Sequence, residues 1–137
     1  MTSTALSDNY GMGYYTADWM AKKLGGKGKV AIITLPQNET WDERTFGMKF
    51  AFSQYPGISI VGSWSFAHAG HATPSDAVAG LLAQHADLDA IWCAWDGAGS
   101  AGADVVQKAG RTNVFLTSID GGTETFTVSG VAATGWI

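Results

Sequence analysis

The sequence predicts an α/β fold: a three-layer αβα sandwich on a parallel sheet of about five strands, in one domain over residues 1–137. Three observations carry that reading. Short, nearly continuous apolar runs rich in branched residues recur along the chain, segments with helical spacing separate them, and Gly, Pro, Asn or Asp stands at most junctions. Strands apolar on both faces belong in a sheet covered by helices on both sides.

Ser7-Asp8 offers the first helix start, and Tyr10, Met12, Tyr15, Trp19, Met20 and Leu24 give an amphipathic pattern that Gly25-Gly26 ends. Lys29 to Leu35 reads as a strand, broken by Pro36-Gln37-Asn38. A second helix is expected from Thr40 or Trp41 to Tyr55, closed by Pro56-Gly57, and a strand from Ile58 to Trp64. Thr73-Pro74-Ser75-Asp76 signals a third helix, with Thr73 as cap, proline at the first helical position and Asp76 reaching back; it should end near His85. A strand from Ala90 to Trp95, a helix from Gly97 to Ala109, a strand from Val114 to Ile119, a short helix near Glu124 to Val128 and a strand from Val131 follow. The order αβαβαβαβαβ implies right-handed crossovers in a doubly wound, flavodoxin-like sheet. Ligands of such sheets bind beyond the carboxyl ends of the strands.

Composition narrows the function. With 46% hydrophobic and 15% charged residues the chain is globular, and a formal charge of −4 gives no basic stripe for a nucleic-acid partner. Cys93 is the only cysteine and lies inside an apolar strand, so it reads as a buried, inert thiol. No uncharged apolar run approaches the roughly 18 residues of a membrane helix, and the residues from Met1 to Asp8 lack the basic and apolar regions of a signal peptide.

Residues just past the strands should share one edge: Gln37, Asn38 and Trp41; Phe66, His68 and His71; Trp95 and Asp96; Asp120. Individually each has a plainer role, since aromatics close cores and Asn or Asp before a helix caps it. Together, flat aromatic faces beside planar hydrogen-bonding groups suit an uncharged sugar or polyol. His68 and His71 lack a third metal ligand at useful spacing, Asp42 and Glu43 favour a helix N-terminus, and no Ser or Cys has an evident His-acid partnership. Neither catalysis, a metal nor a cofactor is therefore expected. Gly97, Gly99 and Gly102 do match the G-x-G-x-x-G turn of dinucleotide sites, with Asp120 beyond the next strand. Against that match, Asp96 would cap the helix and repel a pyrophosphate, which leaves Gly99 and Gly102 to serve close helix packing.

In order and spacing, several stretches resemble the periplasmic sugar-binding proteins of the ribose-binding type, the solute-binding components of sugar ABC transporters. They are Ser7-Asp8-Asn9-Tyr10-Gly11-Met12-Gly13, Leu24-Gly25-Gly26-Lys27-Gly28-Lys29-Val30, Asp42-Glu43-Arg44-Thr45-Phe46-Gly47, Tyr55-Pro56-Gly57-Ile58, Leu88-Asp89-Ala90-Ile91 and Ile119-Asp120-Gly121. The resemblance covers only the second lobe, from the first hinge crossing to the second. It implies a non-enzymatic lobe contributing half of a sugar cleft, with a membrane transporter permease as partner and a periplasmic location for a full-length parent. By that resemblance Asp120 is the family aspartate, and Trp95, beside Asp96, stands where an asparagine is common. The family arginine falls at Asp42 by counting, with Arg44 two residues on, and the aromatic is Trp64 or Phe66. A glutamine usual near the second hinge falls at Ile137. Trp41, Phe66, Trp95 and Trp136 would be left exposed in an isolated lobe, which should self-associate through that edge. The effector lobe of a sugar-responsive repressor shares this fold. A dinucleotide-binding enzyme domain and a flavodoxin-like interaction module are the other readings.

Overall fold

A computed structural model of the protein describes residues 3–35, 37–65 and 73–123. These form α1 (Asn9–Lys23), β1 (Lys27–Thr34), α2 (Glu39–Ser53), β2 (Gly57–Ser65), α3 (Pro74–Gln84), β3 (Ala90–Cys93), α4 (Asp96–Lys108) and β4 (Phe115–Thr117). The strands pair in parallel in the order β2-β1-β3-β4, so the expected αβα sandwich with a flavodoxin-like sheet is the fold observed. Four strands lie among the described residues; the helix expected near Glu124 to Val128 and the strand expected from Val131 lie outside them.

Local chemistry sets the helix starts. The Asp8 carboxylate accepts the Gly11 amide at 2.8 Å to begin α1, and Asn38 accepts the Trp41 amide at 3.3 Å to begin α2. Thr73 and Asp76 close a reciprocal capping box on α3, with Pro74 at its first position. α4 differs from expectation. Trp95 is its N-cap residue, without a side-chain cap bond, and Asp96 is its first helical residue. Because α4 begins there, β3 stops at Cys93, two residues early, although the Ala94 amide still reaches the Ile33 carbonyl at 2.9 Å. β4 is also shorter than expected, since its ladder with β3 ends at the Trp92–Thr117 pair.

Alternation along the strands divides the core. Val30, Ile32, Ala90 and Trp92 face α1 and α2, whereas Ala31, Ile33, Ile91 and Cys93 face α3 and α4. Trp92 is fully buried, and its indole N–H is satisfied by the Thr16 hydroxyl at 3.0 Å, which in turn donates to the Met12 carbonyl at 2.8 Å. α1 and α2 cross at backbone contact. A Cβ on Gly13 would lie 1.9 Å from the Arg44 carbonyl oxygen, and one on Gly47 would lie 2.0 Å from the Tyr10 carbonyl oxygen, so no other residue fits either position unshifted. Further along the pair, Asp18 receives the Tyr55 hydroxyl at 2.5 Å and Lys22 at 2.7 Å. Burial alone would raise the Asp18 pKa, but these bonds outweigh it and hold the carboxyl below its usual value.

β2 carries one irregularity. Val30 pairs with Ile60 and Ala31 with Gly62, so Val61 is an extra residue that bulges from the ladder.

Candidate functional site

The carboxyl edge of the sheet is organised around one buried cation. Arg44 is 5% exposed on the inner face of α2, on a stripe with Thr45, Met48, Ala51 and Phe52. Its Nη1 donates to the Ala94 carbonyl just past β3 at 2.8 Å, and Nη1 and Nη2 fork onto the two Asp120 carboxylate oxygens at 2.8 and 2.9 Å. Nε donates to the Asn9 side-chain oxygen at 3.1 Å. Three elements that are far apart in sequence therefore converge on one guanidinium, and a buried charge so fully bonded escapes the penalty of an unpaired one.

Asp120 occupies the turn after β4 with φ of +76°, in the left-handed region that aspartate enters more readily than bulkier residues. The side chain of Asp120 remains 45% exposed against 6% for Arg44. One end of the pair is thus buried and the other faces out. Asp120 also borders a cavity of about 260 Å³ whose other walls include Asp8, Met12, Tyr15, Thr16 and Ser118.

Trp41, in the first turn of α2, and Trp95, at the start of α4, meet with ring centroids 5.4 Å apart at 41°. Trp95 follows Ala94, the residue whose carbonyl Arg44 binds, so the aromatic pair and the ion pair adjoin. The Thr45 hydroxyl donates to the Trp41 carbonyl at 2.7 Å and lies 2.8 Å from the Thr34 hydroxyl, tying the start of α2 to the end of β1.

The edge therefore brings together Arg44, Asp120, Trp41 and Trp95 among the residues singled out from sequence. Asp96 adjoins them at the mouth of α4. One of its oxygens accepts the Gly97 amide at 3.0 Å and the other accepts the Gly122 amide, so it bridges α4 to the turn after β4. Asn38 is exposed and acts as the α2 cap. Trp64 packs with the cluster on the α3 and α4 side, and Asp42 lies away from the Arg44 stripe. Counting from the family pattern pointed to Asp42, but helical geometry turns Arg44 inward. Phe66, His68, His71, Trp136 and Ile137 lie outside the described residues. Asn9 was missed: next to a capping aspartate it resembles any other first-turn polar residue, and its partner is thirty-five positions away.

The glycine-rich turn is a packing device. A Cβ on Gly99 would come within 2.6 Å of Ser118 Cβ, and one on Gly102 within 2.8 Å of Leu116 Cδ2. The Asp96 carboxylate, on the Gly97 amide at the start of α4, also places a negative charge where a pyrophosphate would have to bind. Burial pushes the Cys93 thiol up to about 12, far from the range of a working nucleophile.

The family described as periplasmic binding protein domain matches residues 2–128. Among curated proteins none matches. Solved structures do. An ABC transporter periplasmic solute-binding protein from Actinobacillus succinogenes, with bound D-allose, is 30% identical with a TM-score of 0.77, over 83% of this chain and 41% of that one. An arabinose-binding protein from Geobacillus stearothermophilus is 29% identical with a TM-score of 0.79, over 87% and 41%. A solute-binding protein from Burkholderia graminis, in complex with D-arabinose, is 28% identical with a TM-score of 0.78, over 88% and 43%. This chain thus spans less than half the length of each structure that it resembles.

Proposed function

This chain belongs to the periplasmic binding protein family, and we propose that it is the second lobe of a sugar-binding protein, contributing one wall of a cleft and no catalysis. The observation that carries this reading is the Arg44–Asp120 fork beside the Trp41–Trp95 pair at the carboxyl edge of the sheet. Indole faces stack on the C–H face of a sugar ring, while the outward oxygens of Asp120 accept hydroxyls. The charge of Arg44 is already matched by Asp120, so an anionic sugar finds no unspent cation there and a neutral sugar or polyol is favoured. The solved relatives holding D-allose and D-arabinose support the same ligand class. In a complete parent, closure of two lobes by hinge motion would enclose the ligand for delivery to a membrane transporter outside the cytoplasm.

Half a cleft covers only one side of a ligand, so binding by this chain alone is weak. The test is an NMR titration of the 137-residue chain with D-allose and D-arabinose up to high millimolar concentration, following the indole N–H signals of Trp41 and Trp95. Saturable shifts that disappear in Trp95→Ala are expected. Absence of any shift at either indole with both sugars and with a wider set of neutral polyols would refute the assignment. The same exposed edge favours pairing of two copies, which light scattering measures: a strict monomer at high micromolar concentration would remove that part of the proposal.

A further inference from the structure

We infer that Asn9 is a positioning residue of this site: its side-chain oxygen sets the plane of the Arg44 guanidinium and so the direction in which Arg44 holds the outward Asp120 carboxylate toward a ligand. This rests on reading the edge as a sugar site, and three observations carry it. Asn9 is itself buried, at 8% exposure, and its oxygen meets Nε of Arg44 at 3.1 Å. A guanidinium only donates, so the atom facing it must be the oxygen; the amide nitrogen then turns to the Ser7 carbonyl at 3.4 Å. The orientation of the Asn9 amide follows from chemistry.

The second observation is where the two restraints act. Nε is held by Asn9 and Nη1 by the Ala94 carbonyl, which grip the planar fork at two separate nitrogens while Nη1 and Nη2 remain on Asp120. Without Asn9 the plane would be held only through its two Nη nitrogens, by Ala94 and by the partly exposed Asp120 carboxylate. With Asn9 as well, the fork is fixed before any ligand arrives. The third is the rigidity of the support. Asn9 lies one helical turn before Gly13 and Arg44 three residues before Gly47, the two glycines at which α1 and α2 touch backbone to backbone. The close crossing allows the short Asn9 side chain to span from one helix to the other. A buried arginine is a costly way to fill a core that apolar side chains fill as well, so its retention with partners from three elements suits an orienting role.

The experiment compares Asn9→Ala and Asn9→Asp with wild type in the 137-residue chain, reading hydrogen exchange at Arg44 Nε by NMR, affinity for D-allose and D-arabinose, and the thermal midpoint. In Asn9→Ala the exchange should accelerate about tenfold or more and sugar affinity should fall about fivefold or more, with cooperative unfolding kept. Asn9→Asp retains an acceptor oxygen and should keep both near wild type. Unchanged Arg44 exchange in folded Asn9→Ala would overturn the inference. So would loss of exchange protection in folded Asn9→Asp, which decides the matter even if the alanine variant does not fold. If wild type binds neither sugar the ligand reading falls, whereas Arg44 exchange still decides whether Asn9 holds the guanidinium.

Discussion

Replacing Asp120 by asparagine separates the charge of the carboxylate from its shape. In the wild-type protein its two oxygens receive Nη1 and Nη2 of Arg44 at 2.8 and 2.9 Å. The amide keeps one acceptor and turns a donor toward a nitrogen that also donates, so one charge-assisted bond is lost. Such bonds contribute about 1.5–3 kcal/mol. Two features place the loss toward the low end. The Asp120 side chain is 45% exposed, so water screens the pair and supplies a substitute acceptor, and Arg44 keeps Asn9 and Ala94. Asparagine also accepts a φ of +76°, so no backbone strain is added. The expected destabilisation is about 1–2 kcal/mol, a fall in thermal midpoint of roughly 3–8 °C. Calorimetry of Asp120→Asn, Arg44→Met and the double variant isolates the pair, whose coupling should be about 1 kcal/mol. A midpoint within about one degree of wild type together with negligible coupling would refute the reasoning.

Other outcomes test other parts of the fold. Trp92→Ala opens a cavity in a fully buried site and removes the indole donor from the Thr16 hydroxyl, which keeps its bond to Met12, so urea unfolding should show a loss of about 3–5 kcal/mol. Gly47→Ala places a methyl 2.0 Å from the Tyr10 carbonyl oxygen and should destabilise by about 1–3 kcal/mol, whereas Gly80→Ala, with nothing within 4 Å, should stabilise by roughly 0.5–1 kcal/mol. The buried Thr117 hydroxyl has no hydrogen-bond partner among the described residues, so Thr117→Val should raise stability by about 1 kcal/mol in the same assay. The Cys93 thiol ionises from its ordinary value of 9.0 upward in the unfolded chain but only near 12 when folded, so its contribution is complete below pH 9. Above that, stability should fall more steeply with rising pH in wild type than in Cys93→Ala, because only the unfolded chain ionises there.

The core could be read from sequence where the pattern is local. Val30 to Ile33 and Ile91 to Cys93 are apolar at every position because both faces are covered, and Thr73-Pro74-Ser75-Asp76 specifies its own capping box. What could not be read depends on angle and parity. Arg44 and Asp42 are two residues apart, which on a helix separates buried from partly exposed; spacing in a motif carries no such angle unless the whole Arg44, Met48, Ala51 stripe is considered. Trp64 pairs with Ile33 and so shares its face toward α3, a parity set by the register after Val61. The contact of Asn9 with Arg44 depends on a helix crossing, for which Gly13 and Gly47 were visible but their juxtaposition was not.

The extra residue in β2 bears on how the chain behaves at high concentration. Among the described residues β2 is an edge strand, and Ile60, 43% exposed, gives it an apolar element beside backbone groups that a neighbouring molecule could adopt. A regular nine-residue edge would template growth of one sheet onto another. Val61 interrupts that template near its middle, shifting the phase of the outward amides and carbonyls and sharpening the local twist. An incoming strand can match one half of β2 or the other but not both. The extra valine therefore disfavours pairing of one continuous strand along the whole of β2.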